Sequence, residues 1–346
     1  MLDKSRPIAI YAEAKIGQLD AKMAEGIIRY GQNPVVAVID STAAGQKVGD
    51  LCKMESDVPI VATLDEAIAR GAEVLVLGTA PSGGRVPPEW MSVLQAAVNA
   101  GLSLVNGLHD PLNAIFGKDL KPGQWIWDIR TLTGEMPPIA TAQAAKLNNT
   151  RVLMVGTDMA IGKMTAGLEV FKSLKDQGAD VEFLATGQIG VSIMGTGIAL
   201  DAFRVDHASG AVERMVMEAA DHDIVIVEGQ GSLLHPGSTA TLPLMRGSCC
   251  NAMILCHRAG MEYVDTPGNI RIPPLPDVIS LCENTTSANG ALTEARVVGI
   301  ALNTRDLDAG TASAEIARLQ DQTGLPVTDP VRCGAGVLAE AIMKAF

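Results

Sequence analysis

The chain has 346 residues and carries 27 lysines and arginines against 39 aspartates and glutamates, a formal net charge of -12. Hydrophobic residues make up 47% of it, which supports a large core and argues against wholesale disorder. The acidic balance and the 3% aromatic content argue against a nucleic-acid partner, which would need clustered basic side chains and stacking platforms.

The length suggests two domains, at roughly 150 residues for each. We find no apolar run near the roughly 18 residues of a membrane span, and the first residues lack the apolar stretch of a secretory signal. We therefore expect a cytoplasmic protein with no membrane partner. Enzymes of this size commonly form symmetric oligomers, so we also expect a homo-oligomer.

Strand-length apolar runs alternate with helical patterns through the first 110 residues. Such alternation predicts a parallel sheet covered by helices on both faces. A turn-rich segment at 117–138, ending in two prolines, is predicted to link this domain to the next. The predicted strands cover residues 7–12, 34–40, 74–78 and 103–107, and the predicted helices cover residues 18–30 and 89–100.

A second alternating series follows the predicted link. It indicates a second α/β domain, joined to the first near residue 140. Its predicted strands cover residues 152–155, 181–185, 223–229, 251–256, 277–281 and 297–303.

The strongest motif is GTDMAIGK at residues 156–163, between a predicted strand and a predicted helix. Backbone N–H groups of such a loop, with a lysine ammonium, form a cradle for phosphate oxygens. A glycine-rich turn with a solvated lysine is the alternative. The predicted binding residues are Gly156, Thr157, Asp158, Gly162, Lys163, Met164 and Thr165.

Two features distinguish this loop from the common G-x-x-x-x-G-K-[ST] pattern. The loop is one residue longer, and Met164 stands where a hydroxyl normally reaches Mg²⁺. Thr165 comes one residue late, and one residue rotates a helical side chain by about 100°. We therefore expect phosphate binding rather than ordinary Mg-ATP chemistry, with no resident metal.

A second motif, IVIVEGQGSLLHPG, places Glu228 directly after an apolar strand. Ligands of parallel sheets gather at the carboxyl ends of strands, where both Gly156 and Glu228 would lie if their strands are close. Glu228 would hold a metal, orient water, accept a proton, or cap a backbone turn. His235, in the same glycine-rich loop, is a site candidate or a structural histidine.

Weaker candidates follow other predicted strands. Gln188 lies between glycines and suits a ligand contact. Asp40 ends the second strand as a ribose-binding acid would, but no G-x-G-x-x-G follows the first strand, which argues against a nicotinamide cofactor. The loops GTAPSGGRVPP and NGLHDPL supply candidates for a second ligand, or plain loop residues: Ser82, Arg85, Asn106, His109 and Asp110.

A cysteine-rich stretch contains Cys249, Cys250, Cys256 and His257. It lacks the paired C-x-x-C spacing of common metal sites. We interpret the cysteines as buried small hydrophobic residues rather than metal ligands.

The second half resembles the dethiobiotin-synthetase group of P-loop proteins in its GTD…GK loop, its VEG-x-G strand end and the Leu302-Asn303 pair. That likeness makes Asn303 a candidate for recognising a purine. The whole chain resembles a bacterial family with a Rossmann-like N-terminal domain, here residues 1–138, and a P-loop NTPase-like, dethiobiotin-synthetase-like C-terminal domain, here 139–346.

One branch of that bacterial family comprises D-glutamate N-acetyltransferases. The resemblance therefore implies acetyl-CoA as co-substrate, D-glutamate as acceptor and an N-acyl-amino-acid racemase as functional partner. The alternative is an ATP-dependent kinase or ligase of the dethiobiotin-synthetase kind, which would use Mg-ATP on a carboxylate. A sensor that binds nucleotide or CoA without turnover is a third possibility.

Acyl transfer requires a neutral amine, a base and donors for the thioester oxyanion. Either Glu228 or His235 would be the base, with Lys163 beside them and glycine-rich amides near 229–232 or 187–190 as donors. A dicarboxylate substrate calls for arginine contacts, and the loop candidates are Arg85, Arg246 and Arg271.

Overall fold

The computed structural model describes residues 2–52, 54–79, 81–132 and 134–345, without the side chains of Leu19 and Ser82. The chain divides into two compact units. The first comprises Met1–Gly134 with Gly187–Ala202, and the second comprises Glu135–Thr186 with Phe203–Phe346. A sixteen-residue segment from the second half of the sequence thus belongs to the first unit.

The first unit contains, within the described residues, a six-stranded parallel sheet in the order β3-β2-β1-β4-β5-β6. This is the strand order of a Rossmann-like doubly wound sheet. The strands are β1 Ile8–Tyr11, β2 Val35–Ile39, β3 Ile60–Val61, β4 Val74–Leu77, β5 Ser103–Asn106 and β6 Ile126–Asp128. The helices are α1 Lys22–Tyr30, α2 Val48–Leu51, α3 Leu64–Ala69, α4 Met91–Ala100, α5 Leu112–Phe116 and α7 Gln188–Met194.

Continuous apolar runs place these strands in the interior. The sequences IAIY and VLVL of β1 and β4 are buried at every position, as expected for strands covered on both faces. Helix α7 packs on α1, where a Cβ at Gly26 would meet the Ile193 side chain at 2.9 Å.

The second unit contains, again within the described residues, a six-stranded parallel sheet in the order β12-β11-β10-β7-β9-β8. The strands are β7 Thr150–Gly156, β8 Val181–Leu184, β9 Ile224–Val227, β10 Ala252–Arg258, β11 Arg296–Asn303 and β12 Val327–Thr328. The helices are α6 Lys163–Asp176, α8 Val205–Glu218, α9 Thr241–Ser248, α10 Leu275–Ser287, α11 Ala309–Thr323 and α12 Gly336–Lys344.

The structure confirms the predicted fold class of two parallel-sheet α/β domains. The strand predicted at 277–281 is wrong, because these residues lie within α10. A short apolar run fits a strand or a buried helix equally well. The longer pattern shows the helix, since its buried residues recur at helical spacing: Leu275, Val278, Cys282 and Thr286.

The segment 117–138 is more than the predicted link. Its residues Ile126–Asp128 form β6, which pairs with Leu104–Asn106 of β5. Three residues give too short a pattern for a strand to be recognised among the surrounding turns. In the described parts of the chain, no helix has both the length and the apolar character needed to cross a bilayer.

Gly210 allows α8 to lie against the first residues of the second unit. A Cβ at this position would lie 1.7 Å from the backbone oxygen of Pro138. At Gly336, the first residue of α12, a Cβ would meet no atom within 4 Å.

We therefore expect Gly210→Ala to lower the free energy of unfolding by about 3 kcal/mol or more, because backbone must move to admit the methyl group. Gly336→Ala, the matched control, should leave it unchanged or raise it by up to about 1 kcal/mol. Urea denaturation of both variants measures the difference. Equal stabilities would contradict the close approach at Gly210.

Candidate functional site

The GTDMAIGK loop at residues 156–163, called the P-loop below, lies with Glu228 at one edge of the second sheet. Strand β7 pairs directly with β9, with Leu153 opposite Val227. Both strands run in the same direction, so Gly156, the last residue of β7, and Glu228, which follows β9, lie at the same carboxyl edge of the sheet. This confirms that the two motif-bearing strands are neighbours.

The Lys163 side chain is buried and folded back onto its own loop. Its ammonium donates hydrogen bonds to the carbonyl oxygens of Asp158 at 2.7 Å and Met159 at 2.8 Å. It is 4% exposed, which excludes a solvated lysine. Burial lowers the pKa of Lys163 to about 8, and the nearby Cys256, Asp158 and Glu228 oppose that shift.

Three side chains hold the P-loop in place. The Asp158 carboxylate accepts hydrogen bonds from the Met159 amide at 2.7 Å and the Asp265 amide at 2.8 Å. Asn303 donates to the carbonyl of Ile161 at 3.1 Å. These bonds tie the loop to the end of β11 and to the segment after β10, so Asp158 and Asn303 make positioning contacts.

Thr157 is the third positioning residue. Its buried hydroxyl lies 2.9 Å from Nδ1 of His257, the penultimate residue of β10. Burial lowers the pKa of His257 to about 4, so its ring is neutral at physiological pH. The pair is a neutral hydrogen bond inside the sheet edge.

The helix after the loop begins at Lys163, preceded by Gly162 with φ 110°. Met164 and Thr165, both half-buried, occupy the first turn of this helix. A thioether is a weak acceptor and does not replace the hydroxyl that commonly coordinates Mg²⁺.

Glu228 is 2% exposed and bonded to the end of β8. Its Oε2 accepts the Thr186 amide at 2.8 Å, while the Thr186 hydroxyl donates to the Glu228 carbonyl at 2.8 Å. One carboxylate oxygen therefore has the backbone-capping role. At Gly229, a Cβ would lie 1.7 Å from the Met154 oxygen of β7, so this position needs glycine.

The loop after Glu228 is crosslinked by its own hydroxyl groups. Thr241 donates to the Gln230 carbonyl at 2.9 Å, and the Ser238 hydroxyl accepts the Ser232 amide at 3.0 Å. These bonds hold His235 in a fixed part of the loop, where it is 9% exposed.

The hydrogen bonds of His235 determine its tautomer. The Gly237 amide donates to Nδ1 at 3.0 Å, so Nδ1 is an unprotonated acceptor. A neutral ring then carries its proton on Nε2. Buried Nε2 has no hydrogen-bond partner among the described residues, which leaves an N–H donor at this position.

In the first unit, the candidates from the two loops lie together after β4 and β5. Arg85 and Asp110 form an ion pair at 2.6 Å, and the Val86 amide also bonds Asp110 at 2.8 Å. Both bonds lower the pKa of Asp110, and the Val86 amide makes the larger contribution. Exposed His109 lies 2.9 Å from Arg130. The side chain of Ser82 lies outside the described residues.

Asn106 is a buried structural residue of this cluster. Its amide donates to the Asp110 carbonyl and to the Asp128 carboxylate, both at 2.7 Å. Its oxygen accepts the Leu108 amide at 2.9 Å. These three bonds explain its burial without a ligand.

Gln188 lies in this unit as the first residue of α7, where a Cβ at Gly107 would meet it at 3.4 Å. Asp40 is also internally bonded, to the amides of Lys15 and Ile16 at 3.1 Å and to Thr42. Burial opposes its ionisation, but these hydrogen bonds keep the pKa of Asp40 below its usual value.

The remaining arginine candidates lie apart in the second unit. Arg271 is exposed in the loop after β10, paired with Tyr263. Arg246 is in the last turn of α9, close to the amino end of β10. The structure therefore places Arg246 at the sheet edge opposite the P-loop.

The cysteines of the cysteine-rich stretch are buried, as expected of small hydrophobic residues. Cys249, Cys250 and Cys256 are buried free thiols. Burial raises the pKa of Cys250 and of Cys256 to about 12. Across the described residues, no group of three or more His, Cys, Asp or Glu side chains is arranged to hold a metal ion.

The sequence reasoning missed Arg130, which donates to the Gly107 carbonyl at 2.8 Å and forms an ion pair with Asp201. It also missed Asp128 at the end of β6 and Thr79 after β4, whose buried hydroxyl has no partner in the described part of the chain. Recognising β6 would have identified Asp128, because residues that end parallel strands are site candidates.

The neutral His257 ring makes folding stability depend on pH. Its folded pKa of about 4 is below the ordinary 6.5, so the unfolded chain takes up a proton first as the pH falls. This contribution to stability is complete above pH 6.5 and is lost towards pH 4, by up to about 3 kcal/mol.

Denaturant unfolding between pH 7 and 4 measures this loss. His257→Asn should flatten the plot of unfolding free energy against pH, because the unfolded chain then takes up about one proton fewer relative to the folded chain. An NMR titration of the wild-type rings gives an independent reading, with His257 still neutral at pH 5. A ring that protonates near pH 6.5 would contradict the burial argument.

Comparisons with known proteins follow the same division into two domains. Residues 138–339 match the family described as a domain of unknown function (DUF1611_C), P-loop domain. Residues 41–132 match the companion domain, DUF1611_N, described as Rossmann-like.

Two relatives are named D-glutamate N-acetyltransferase. The chain is 33% identical to one from Tritonibacter scottomollicae over 94% of both chains. It is 34% identical to one from a Pseudoalteromonas species, over 78% of this chain and 81% of the relative.

A crystal structure of a DUF1611 family protein from Anabaena variabilis is similar over 98% of this chain and 100% of that one, with a TM-score of 0.94 and 47% identity. The matches cover both domains and nearly the full length. The chain therefore belongs to the DUF1611 family, with a Rossmann-like N-terminal domain and a P-loop C-terminal domain.

Proposed function

We propose that this protein transfers the acetyl group of acetyl-CoA to the amino group of D-glutamate. The similarity over 94% of both chains to a relative named D-glutamate N-acetyltransferase carries the proposal. The product would be a substrate for an N-acyl-amino-acid racemase.

The composition of the P-loop supports a CoA ligand. Coenzyme A presents a pyrophosphate and a 3′-phosphate, which suit the backbone amides and the Lys163 ammonium. No phosphoryl group is transferred in this reaction, so a hydroxyl at position 164 is not required. A bound phosphate would favour the charged form of Lys163 and offset its burial.

The reaction is a direct transfer. The neutral amine of D-glutamate attacks the thioester carbon, a C–N bond forms and the C–S bond breaks. The amine proton passes to a base, and CoA leaves as the thiolate that this proton finally neutralises. The products are N-acetyl-D-glutamate and CoA.

The tautomer of His235 indicates which residue acts as the hydrogen-bond donor and which as the base. A ring with its proton on Nε2 is a donor there, so His235 is suited to hydrogen-bond the thioester oxygen as negative charge develops. The base is then Glu228, a buried carboxylate at the same strand end. Arg271, which is exposed in the loop after β10 of the same unit, would serve a carboxylate of the substrate.

Incubation with D-glutamate and acetyl-CoA, followed by thiol detection and mass spectrometry, tests the proposal. We expect equimolar CoA and N-acetyl-D-glutamate. Lys163→Ala should weaken acetyl-CoA binding by about tenfold or more, because a charged hydrogen-bond donor is lost. Lys175→Ala, which removes an exposed lysine of the same helix, is the matched control.

L-Glutamate and other D-amino acids in parallel reactions establish the acceptor. A parallel reaction with Mg-ATP and D-glutamate tests the kinase or ligase alternative. CoA release no faster than background, or Mg-dependent ADP formation in its place, would overturn the acetyltransferase proposal.

The role of His235 is tested by exchanging the donor. Glutamine carries an N–H₂ group near the Nε2 position, so His235→Gln should retain kcat within about tenfold. His235→Asn and His235→Ala should lower kcat by about 100-fold, as loss of an oxyanion donor does. Equal losses in all three variants would indicate a base instead.

A further inference from the structure

The second unit contains a cavity far from the P-loop. Its volume is about 180 Å³, and its walls include Arg246 and Cys249. The carbonyl of Cys249 accepts a hydrogen bond from Arg151, near the start of β7, at 3.1 Å. The P-loop follows the other end of this seven-residue strand, about 20 Å away. The cavity is therefore separate from the P-loop.

Most N–H donors of the Arg246 guanidinium make no hydrogen bond to the described residues. It donates one hydrogen bond, to the Thr286 carbonyl at 3.2 Å, although an arginine has five N–H donors. Among the described residues, no carboxylate lies within ion-pair distance of it. Its positive charge is uncompensated in a chain of net charge -12.

The buried carboxylate of Glu213, which is bonded to the cavity wall, does not supply the missing partner. Both oxygens of Glu213 accept backbone amides, from Thr141 at 2.9 Å and Gln143 at 2.6 Å. These bonds fix the cavity wall that contains Thr141. They leave the charge of Arg246 available to a ligand.

The other walls define the chemistry of that ligand. Met245 and Leu292 are apolar, while Thr141 and Thr293 add hydroxyl groups. A planar guanidinium beside apolar side chains matches a carboxylate on a short aliphatic body. The volume of about 180 Å³ admits a molecule of this size.

From this geometry we propose a second ligand site, at the amino edge of the second sheet, that binds a short-chain carboxylate through Arg246. The apolar walls favour an aliphatic acid over inorganic phosphate. The site does not depend on the proposed acetyltransferase activity.

Ligand-observed NMR titrations with butyrate, glutarate and inorganic phosphate test the site on the full chain. We expect saturable binding of a carboxylate with a Kd of the order of 1 mM. Arg246→Met should weaken it at least tenfold, whereas Arg318→Met, an exposed arginine outside the cavity, should not.

Lys163→Ala separates this site from the P-loop, because carboxylate binding should survive it. If Arg246→Met fails to fold, Arg246→Lys keeps a charge without the planar fork and should weaken binding by about threefold or more. No saturable binding, equal binding by the Arg246 variants, loss in Lys163→Ala, or binding of phosphate alone would each overturn the proposal.

Discussion

The buried ammonium of Lys163 sets the conditions that the rest of the second unit must meet. Removing an ion from water costs several kcal/mol unless polar groups replace its hydration. Here the carbonyls of Asp158 and Met159 replace it, and this requires the loop to be held in one conformation. Asp158, Asn303 and the Thr157–His257 pair provide that restraint.

This restraint explains why polar residues at the strand ends are bonded to the backbone. A loop that preserves its shape without a ligand loses less entropy when it binds one. Asn303 holds the Ile161 carbonyl, and Glu228 holds the Thr186 amide. Each uses part of its hydrogen-bonding capacity on the protein, which fixes the orientation of the remaining atoms.

The sequence predicted this arrangement where the chain pattern is long. Continuous apolar runs predicted the parallel sheets, and the two motifs after the strands predicted that Gly156 and Glu228 lie at one sheet edge. The sequence-based prediction failed where the pattern is short, as in β6, and where the pattern suits a strand and a helix equally well, as in residues 277–281. Partners distant in sequence, such as Asp265 for Asp158, follow from the folded backbone and from no local signal.

The two units also use their polar residues differently. In the first unit, Asp40 and Asn106 stand where a Rossmann-like sheet commonly meets its ligand, yet their bonds to Lys15, Ile16, Leu108 and Asp128 satisfy them within the protein. In the second unit, His235 combines a satisfied Nδ1 with an Nε2 that has no partner among the described residues.

For the proposed acyl transfer, a neutral donor has an advantage over a charged one. An imidazolium near Glu228 would favour the ionised carboxylate and weaken it as a base. In the proposed reaction, a neutral Nε2–H would avoid this effect and would still stabilise the charge that develops on the thioester oxygen. Because the Gly237 amide selects this tautomer through a backbone contact, the donor is in place before any substrate arrives.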